Sequence, residues 1–307
     1  MHAVAEREPE EGFIDVPDGR LHYLDWGGCG FPAHFLHGNG FCAGTYTPFL
    51  KYLLDTLHII ASDVRGHGAS THPSGKRIGH WRVFAEDLHA MIVRTSQPPV
   101  IGMGHSLGAV TTYIAAAMYP DLFAALILID PVLPPRRQLF LMALSRRLGL
   151  QSRYPLAKNA RQRRSRFKSK QSALKRFAAG HGIFKTWSKD FVEAYLECGL
   201  LEKDAETAVL RCDPELEAQI FESVPVDVWS YAPKIRCPVL MLRGEHSNTL
   251  PAESARRLAR INPHFHTRTV PDTGHFLTME KPEACAGIIL DYVGRQSFLQ
   301  RDCRTRA

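Results

Sequence analysis

No stretch of the 307-residue sequence approaches the roughly 18 uninterrupted apolar residues of a membrane span, which argues against a helical membrane protein. Met1 to Glu11 is polar, carries four glutamates and lacks an apolar run, so no signal peptide is expected. Cysteine is sparse. The seven residues (29, 42, 198, 212, 237, 285 and 303) form an odd count without a C-x-x-C pair. In a chain this long that pattern argues against a disulfide framework or a zinc site. Reduced core cysteines and a cytoplasmic location are therefore expected. Internal repeats, low-complexity segments and nucleic-acid-binding motifs are also missing.

Acidic residues are absent from one long stretch. Arg136 to Lys189 holds sixteen Lys/Arg and no Asp/Glu, whereas Asp190 to Asp227 holds eleven Asp/Glu against Lys203 and Arg211. The expected arrangement is a helical subdomain in which the two halves face each other. The alternative is contact with an anionic partner, such as a membrane surface, through Arg161-Gln162-Arg163-Arg164-Ser165-Arg166. Nucleic acid is not expected, because no motif accompanies the block and its aromatics are few.

What is present is an ordinary globular composition, with 45% hydrophobic and 22% charged residues. Two alternating runs, Gly12–Val16 and Arg20–Trp26, flank an Asp18-Gly19 turn and predict a hairpin. Further strands are predicted over 32–36, 58–61, 99–103, 125–129, 237–244 and 266–270. Helices are predicted over 46–54, 79–94, 109–118, 252–261 and 282–296. Between Asp130 and about Tyr231 the pattern turns to helices and charge, with no convincing strand. Strands alternating with helices imply an α/β fold, a mostly parallel sheet with helices on both faces. Residues 12–131 and 233–297 would form its core. Residues 132–232 would be an inserted helical cap, and 1–11 and 298–307 flexible tails.

Gly104-His105-Ser106-Leu107-Gly108 is a G-x-S-x-G pattern between a short apolar run and a small, apolar helix. In this pattern a serine sits on a sharp strand-to-helix turn, and glycines flank it because backbone and helix approach closely. A serine hydroxyl is weak until a neighbouring base takes its proton. His275, in Thr273-Gly274-His275 after the last strand, is the candidate base. His37 and His105 are poorer choices, the first in a turn that should shape an oxyanion pocket, the second inside the elbow. The amides of Leu107 and of Asn39, in His37-Gly38-Asn39-Gly40, are the candidate oxyanion donors.

Five segments in this order carry a resemblance. They are His37-Gly38, Asp63-x-Arg65-Gly66-x-Gly68-x-Ser70, the Gly104–Gly108 elbow, Arg243-Gly244-Glu245 and Gly274-His275. Together, over residues 12 to about 296, the chain resembles α/β-hydrolase-fold proteins of the helical-cap type. The resemblance implies a serine hydrolase acting on a carboxylic ester or thioester, with no metal or organic cofactor. Cofactor-free perhydrolases and carbon–carbon bond hydrolases share the same motifs and stay open. Epoxide hydrolases and haloalkane dehalogenases carry aspartate at the elbow, so the serine here argues against both.

One departure stands out. The family places its triad acid a few residues after the glycine of the penultimate strand, where this chain reads Glu245-His246-Ser247-Asn248-Thr249. A catalytically degraded fold serving as a binding or scaffold protein is the alternative that this departure raises. Asp130 is the predicted acid, because it ends the strand after the elbow helix on the same sheet edge as Ser106 and His275. Pro131 is expected to hold it extended. Glu245 is the alternative acid. Asp63 and Arg65 are expected to pin their own turn and not to touch substrate.

Overall fold

The computed structural model describes residues 7–204 and 206–296. The expected tails at 1–6 and 298–307 lie outside the described residues. Glu10 and Glu11, counted above as tail, are instead the first residues of a strand.

That strand, Glu10–Val16 (β1), forms the predicted hairpin with Gly19–Asp25 (β2). Phe31–Leu36 (β3) and Leu57–Ser62 (β4) follow. Between them, the helix expected over 46–54 is broken into 3-10 turns and a single α turn, Thr47–Leu50 (α1), which has Pro48 in its first turn. Arg82–Thr95 (α2) leads to Val100–His105 (β5), Leu107–Met118 (α3) and Phe123–Ile129 (β6). After the insertion come Val239–Gly244 (β10), Ala252–Ile261 (α9), Phe265–Val270 (β11), Leu277–Glu280 (α10) and Pro282–Gly294 (α11).

The eight strands order as β1-β2-β4-β3-β5-β6-β10-β11. Only β1 and β2 run antiparallel to their neighbours; every pairing from β4 through β11 is parallel. Alternation of side chains divides the core in two. Ile101, Met103, Ile127 and Ile129 face one layer, with Ile289 of α11, while Val100, Leu126 and Leu128 face the other, with α2 and α3. A strand covered on both faces needs a continuous apolar run, and all six residues of β5 are buried.

Between β6 and β10 lie Arg136–Arg147 (α4), Pro155–Gln162 (α5), Lys170–Ala178 (α6), Lys189–Gly199 (α7) and Pro214–Glu222 (α8). The expectation of no strand here is corrected. Arg166–Phe167 (β7), Leu200–Asp204 (β8) and Thr207–Leu210 (β9) form a small antiparallel sheet. The β8–β9 turn has no Gly, Pro or Asn, and Asp204, whose carboxylate accepts from Glu206 N–H at 2.9 Å, is its only turn signal. The facing of basic and acidic halves is observed: Arg161 pairs with Glu215 and Glu222, Arg163 with Glu217, and Lys170 with Glu197.

The cysteine expectation is corrected as well. Cys42, just before the first 3-10 turn, and Cys198, in the last turn of α7, form a disulfide across a separation of 156 residues. Such a pairing is invisible to spacing rules, and it withdraws the argument from reduced cysteines to a cytoplasmic location. Cys212, Cys237 and Cys285 are free and buried. No helix among the described residues is long and apolar enough to cross a membrane.

Candidate active site

Parallel strands bring their carboxyl ends to one edge, and the predicted residues gather there. In register, Leu36 of β3 pairs with Gly104 of β5, and His105 with Ile129 of β6. By that register His37, just after β3, is level with His105, and Ser106 and Asp130, just after β5 and β6, are level with each other.

Ser106 occupies the turn between β5 and α3 with φ 55° and ψ −113°, a conformation that few non-glycine residues adopt. Its N–H continues the ladder to Ile129 O at 2.9 Å, and its carbonyl accepts from Val110 N–H at 3.1 Å. The flanking glycines are required by space. A Cβ at Gly104 would lie 2.5 Å from the Gly108 carbonyl carbon, and one at Gly108 would lie 2.0 Å from Leu36 O. The strain is thus held by a strand, a helix and two close backbone approaches.

His275 completes the contact. Its Nε2 lies 2.9 Å from Ser106 Oγ, and its Nδ1 lies 2.7 Å from Asp130 Oδ2. With Nδ1–H donating to the carboxylate, Nε2 is left to accept the serine proton. Asp130 is fully buried, and its charge is held by several donors. Gly244 N–H donates to Oδ1 at 3.2 Å, and the hydroxyls of Ser247 and Thr249 both donate to Oδ2. Thr249 Oγ1 also sits 2.9 Å from His275 Nδ1. A buried carboxylate without such donors would be costly, so these hydroxyls are part of the site.

Two expectations about the acid are corrected. Asp130 is not extended: its φ is 44°. The left-handed turn is tolerated by aspartate, and it comes while the Asp130 N–H still bonds Leu242 O at 2.8 Å. Glu245, the alternative, is exposed, and its carboxylate accepts from Asp272 N–H at 2.9 Å, away from the His275–Asp130 contact. Glu245, His246 and Asp272 bring ligand-type atoms within 4.8 Å of one another on the surface, a common arrangement that carries no argument for a metal.

The amides expected to hold an oxyanion are both available. Leu107 is the first residue of α3, where an N–H has no intrahelical acceptor. In the loop after β3, Gly38 N–H bonds Tyr46 Oη at 3.1 Å and Gly40 N–H bonds His67 Nε2 at 3.1 Å. The Asn39 N–H between them has no acceptor among the described residues. Its side chain is tied down, with Nδ2 donating to Glu217 O at 3.0 Å.

A relay that the sequence did not reveal links this loop to His275. Tyr46 Oη lies 2.7 Å from His105 Nδ1, and His105 Nε2–H donates to the His275 carbonyl at 2.8 Å. His105 is fully buried; burial, then the neighbouring His275, pushes its pKa down to about 3, so it stays neutral. His37 is likewise structural: its Nε2 accepts from Val64 N–H at 2.9 Å and its Nδ1 donates to Gly38 O at 2.7 Å. Burial lowers its pKa too. Only the position of His105 inside the elbow hinted at this role.

Asp63 and Arg65 do pin the turn after β4. Arg65 makes a two-point contact with Asp87 of α2 at 2.8 and 2.6 Å, and Asp63 accepts from Ala43 N–H, Ala69 N–H and His22. On the other side, aromatic rings from the insertion reach the site. Trp187 packs on Phe41 and Phe276 with centroids 5.5 and 5.8 Å apart, and Phe276 follows His275.

The chain matches the model of the alpha/beta hydrolase family over residues 35–288. It is 26% identical over 260 residues to 2-(acetamidomethylene)succinate hydrolase of Mesorhizobium japonicum, covering 84% of this chain and 86% of that protein. A crystal structure of E-2-(acetamidomethylene)succinate hydrolase is similar with a TM-score of 0.74 at 23% identity, covering 93% and 99% of the two chains. The thioesterase domain from the curacin biosynthetic pathway is similar with a TM-score of 0.73 at 17% identity, covering 92% and 99%. Both structural likenesses speak for the fold.

Proposed function

The chain belongs to the alpha/beta hydrolase family, and from that premise we propose that it is a serine hydrolase cleaving a carboxylic ester or thioester. The observation that carries this reading is the unbroken chain of contacts from Ser106 Oγ through His275 to Asp130. In the first half-reaction His275 Nε2 takes the serine proton as Oγ attacks the substrate carbonyl. The amides of Leu107 and Asn39 hold the oxyanion, each such donor being worth about 3–4 kcal/mol of barrier. The positive charge that develops on His275 is stabilised by Asp130 behind it. Collapse of the tetrahedral intermediate expels the alcohol or thiol, which takes its proton from His275. Water, activated by the same histidine, then attacks the acyl-enzyme and frees Ser106.

The insertion serves in this reading as a cap that selects the acyl group. Phe41 and Phe276 from the sheet side and Trp187 from the insertion favour an apolar or aromatic acyl chain. The similar 2-(acetamidomethylene)succinate hydrolase is in keeping with a hydrolytic reaction. The route calls on no metal or organic cofactor.

Labelling with a fluorophosphonate tests the nucleophile: the wild type is expected to react and Ser106→Ala not to. A panel of nitrophenyl esters and acyl thioesters then tests the substrate class. A folded protein whose Ser106 resists the reagent, and which hydrolyses none of the panel, would overturn the proposal.

A further inference from the structure

Helix α4 exposes more large apolar surface than it buries. Of its apolar residues only Leu139 is buried, whereas Phe140 and Leu141 are 70% and 62% exposed, and Leu144 is 45%. Leu148, just beyond the helix, is 63% exposed. Residues 140, 144 and 148 repeat every fourth position and 141 lies beside them, so they form one stripe along the helix. A soluble chain rarely leaves such a contiguous patch uncovered without a use for it.

The charge around the stripe says what fits it. Arg136 and Arg147 fall on its flank at helical spacing, and Arg153 follows in the next turn of chain. All three are exposed, and none has an acidic partner among the described residues. Arg137, on the stripe itself, reaches Glu253 only at 3.7 Å between exposed side chains. By contrast, Arg161 and Arg163, in the segment raised above as the alternative site for an anionic partner, are occupied by Glu215, Glu222 and Glu217. An apolar stripe bordered by unpaired arginines is the pattern of a helix that lies in a membrane interface.

We infer that the exposed face of α4 docks the protein on an anionic lipid surface. The stripe enters the headgroup boundary, and Arg136, Arg147 and Arg153 meet the lipid phosphates. The contact lies close to the catalytic edge, because Pro131–Pro135 alone joins Asp130 to α4. That connection is anchored by the bond from Leu133 N–H to Thr249 O at 3.0 Å. The inference rests on surface exposure and charge and is independent of the reaction assigned to Ser106.

Co-sedimentation of the full chain with phosphatidylcholine vesicles, with and without phosphatidylglycerol, tests it. Binding is expected only to the phosphatidylglycerol vesicles and should fall as salt rises. Exchanging Arg136 and Arg147 for glutamine should weaken binding roughly 25-fold, at about fivefold for each arginine near an anionic surface. A Phe140→Ser/Leu144→Ser/Leu148→Ser variant should lose binding while keeping its melting temperature and its fluorophosphonate labelling, since those side chains are exposed. Binding to neutral vesicles as tight as to anionic ones would overturn the inference, as would undiminished binding by the triple variant. So would a concentration-dependent dimer in sedimentation velocity that the triple variant abolishes, which would assign the stripe to a second copy of the chain.

Discussion

The sheet and the insertion handle polarity in opposite ways. At the catalytic edge of the sheet and in the turn after β4, the charges are buried and multiply bonded. Asp130 has no exposure and takes bonds from Gly244, Ser247, Thr249 and His275; Arg65 and Asp87 meet in a two-point pair. In the insertion, pairs such as Lys170–Glu197 and Lys189–Glu193 stay partly in water, and large apolar side chains face outward on α4. The first arrangement fixes atoms in place and tolerates little change. The second leaves side chains free to meet something else. Chemistry that needs a preorganised serine, histidine and carboxylate belongs on the first, and contacts that must adapt to substrate or surface belong on the second.

The largest expected effect tests whether the buried carboxylate is what separates the two regions. Asp130→Asn should lower kcat by about 10⁴, because an amide behind His275 stabilises the wrong tautomer and no longer balances its charge. Glu245→Gln, an equally conservative change at an exposed carboxylate beside the Asp272 turn, should leave kcat near wild type. Turnover of both on one nitrophenyl ester, with folding checked by circular dichroism, decides the assignment. Loss in Glu245→Gln with retention in Asp130→Asn would reverse it.

The same contrast governs what could be read from sequence. The sheet was legible because burial on both faces forces apolar runs such as Val100–Met103, and because the elbow needs glycine at 104 and 108 for steric reasons that no other residue satisfies. Asp130 was legible because it ends a strand. Its partners Ser247 and Thr249 were not: hydroxyls that bond a carboxylate across 117 and 119 residues leave no local pattern. Tyr46 and His105 were missed for the same reason, since their relay exists only once β3, β5 and the His275 loop are adjacent. In the insertion, the facing of basic and acidic halves followed from charge segregation alone. The β8–β9 hairpin, the Cys42–Cys198 bond and the outward stripe of α4 depend on how its pieces fold back on the sheet, which periodicity does not encode.

A second pair of substitutions sharpens the comparison on the stability axis. Arg65→Ala leaves Asp87 buried, where burial already raises its pKa against the opposing pull of Arg65. Removing one partner of a buried pair typically costs about 3–5 kcal/mol. Turnover of the remaining folded fraction should be retained, because Arg65 braces the turn after β4 and lies outside the Ser106–His275–Asp130 contacts. Lys170→Ala removes a pair whose side chains are 35% and 76% exposed, and such pairs are worth about 1 kcal/mol or less. Urea unfolding of both variants measures the difference. Equal midpoints would show that the two regions hold their charges in the same way. A folded, stable Arg65→Ala variant with greatly reduced turnover would move Arg65 into the site.

The smallest expected effect comes from restoring an aspartate where related hydrolases are expected to carry one. Asn248 is exposed, and neighbouring Ser247 and Thr249 point their hydroxyls at Asp130. If Asp130 already occupies His275 Nδ1, a carboxylate at 248 has no vacant position to fill. It adds one negative charge at the surface, where water screens it, and the rate should change by about twofold or less. The double variant Asp130→Asn/Asn248→Asp is then the informative one. A carboxylate placed on the β10 loop can approach the histidine only if that loop gives up its bonds to residue 130, and an amide in place of the Asp130 carboxylate weakens just those bonds. Partial recovery of turnover in the double variant, with none in Asn248→Asp alone, would show that the two strand ends compete for one place behind His275. A strong gain in Asn248→Asp alone would mean that Asp130 does not fill that place, and the acid would have to be reassigned.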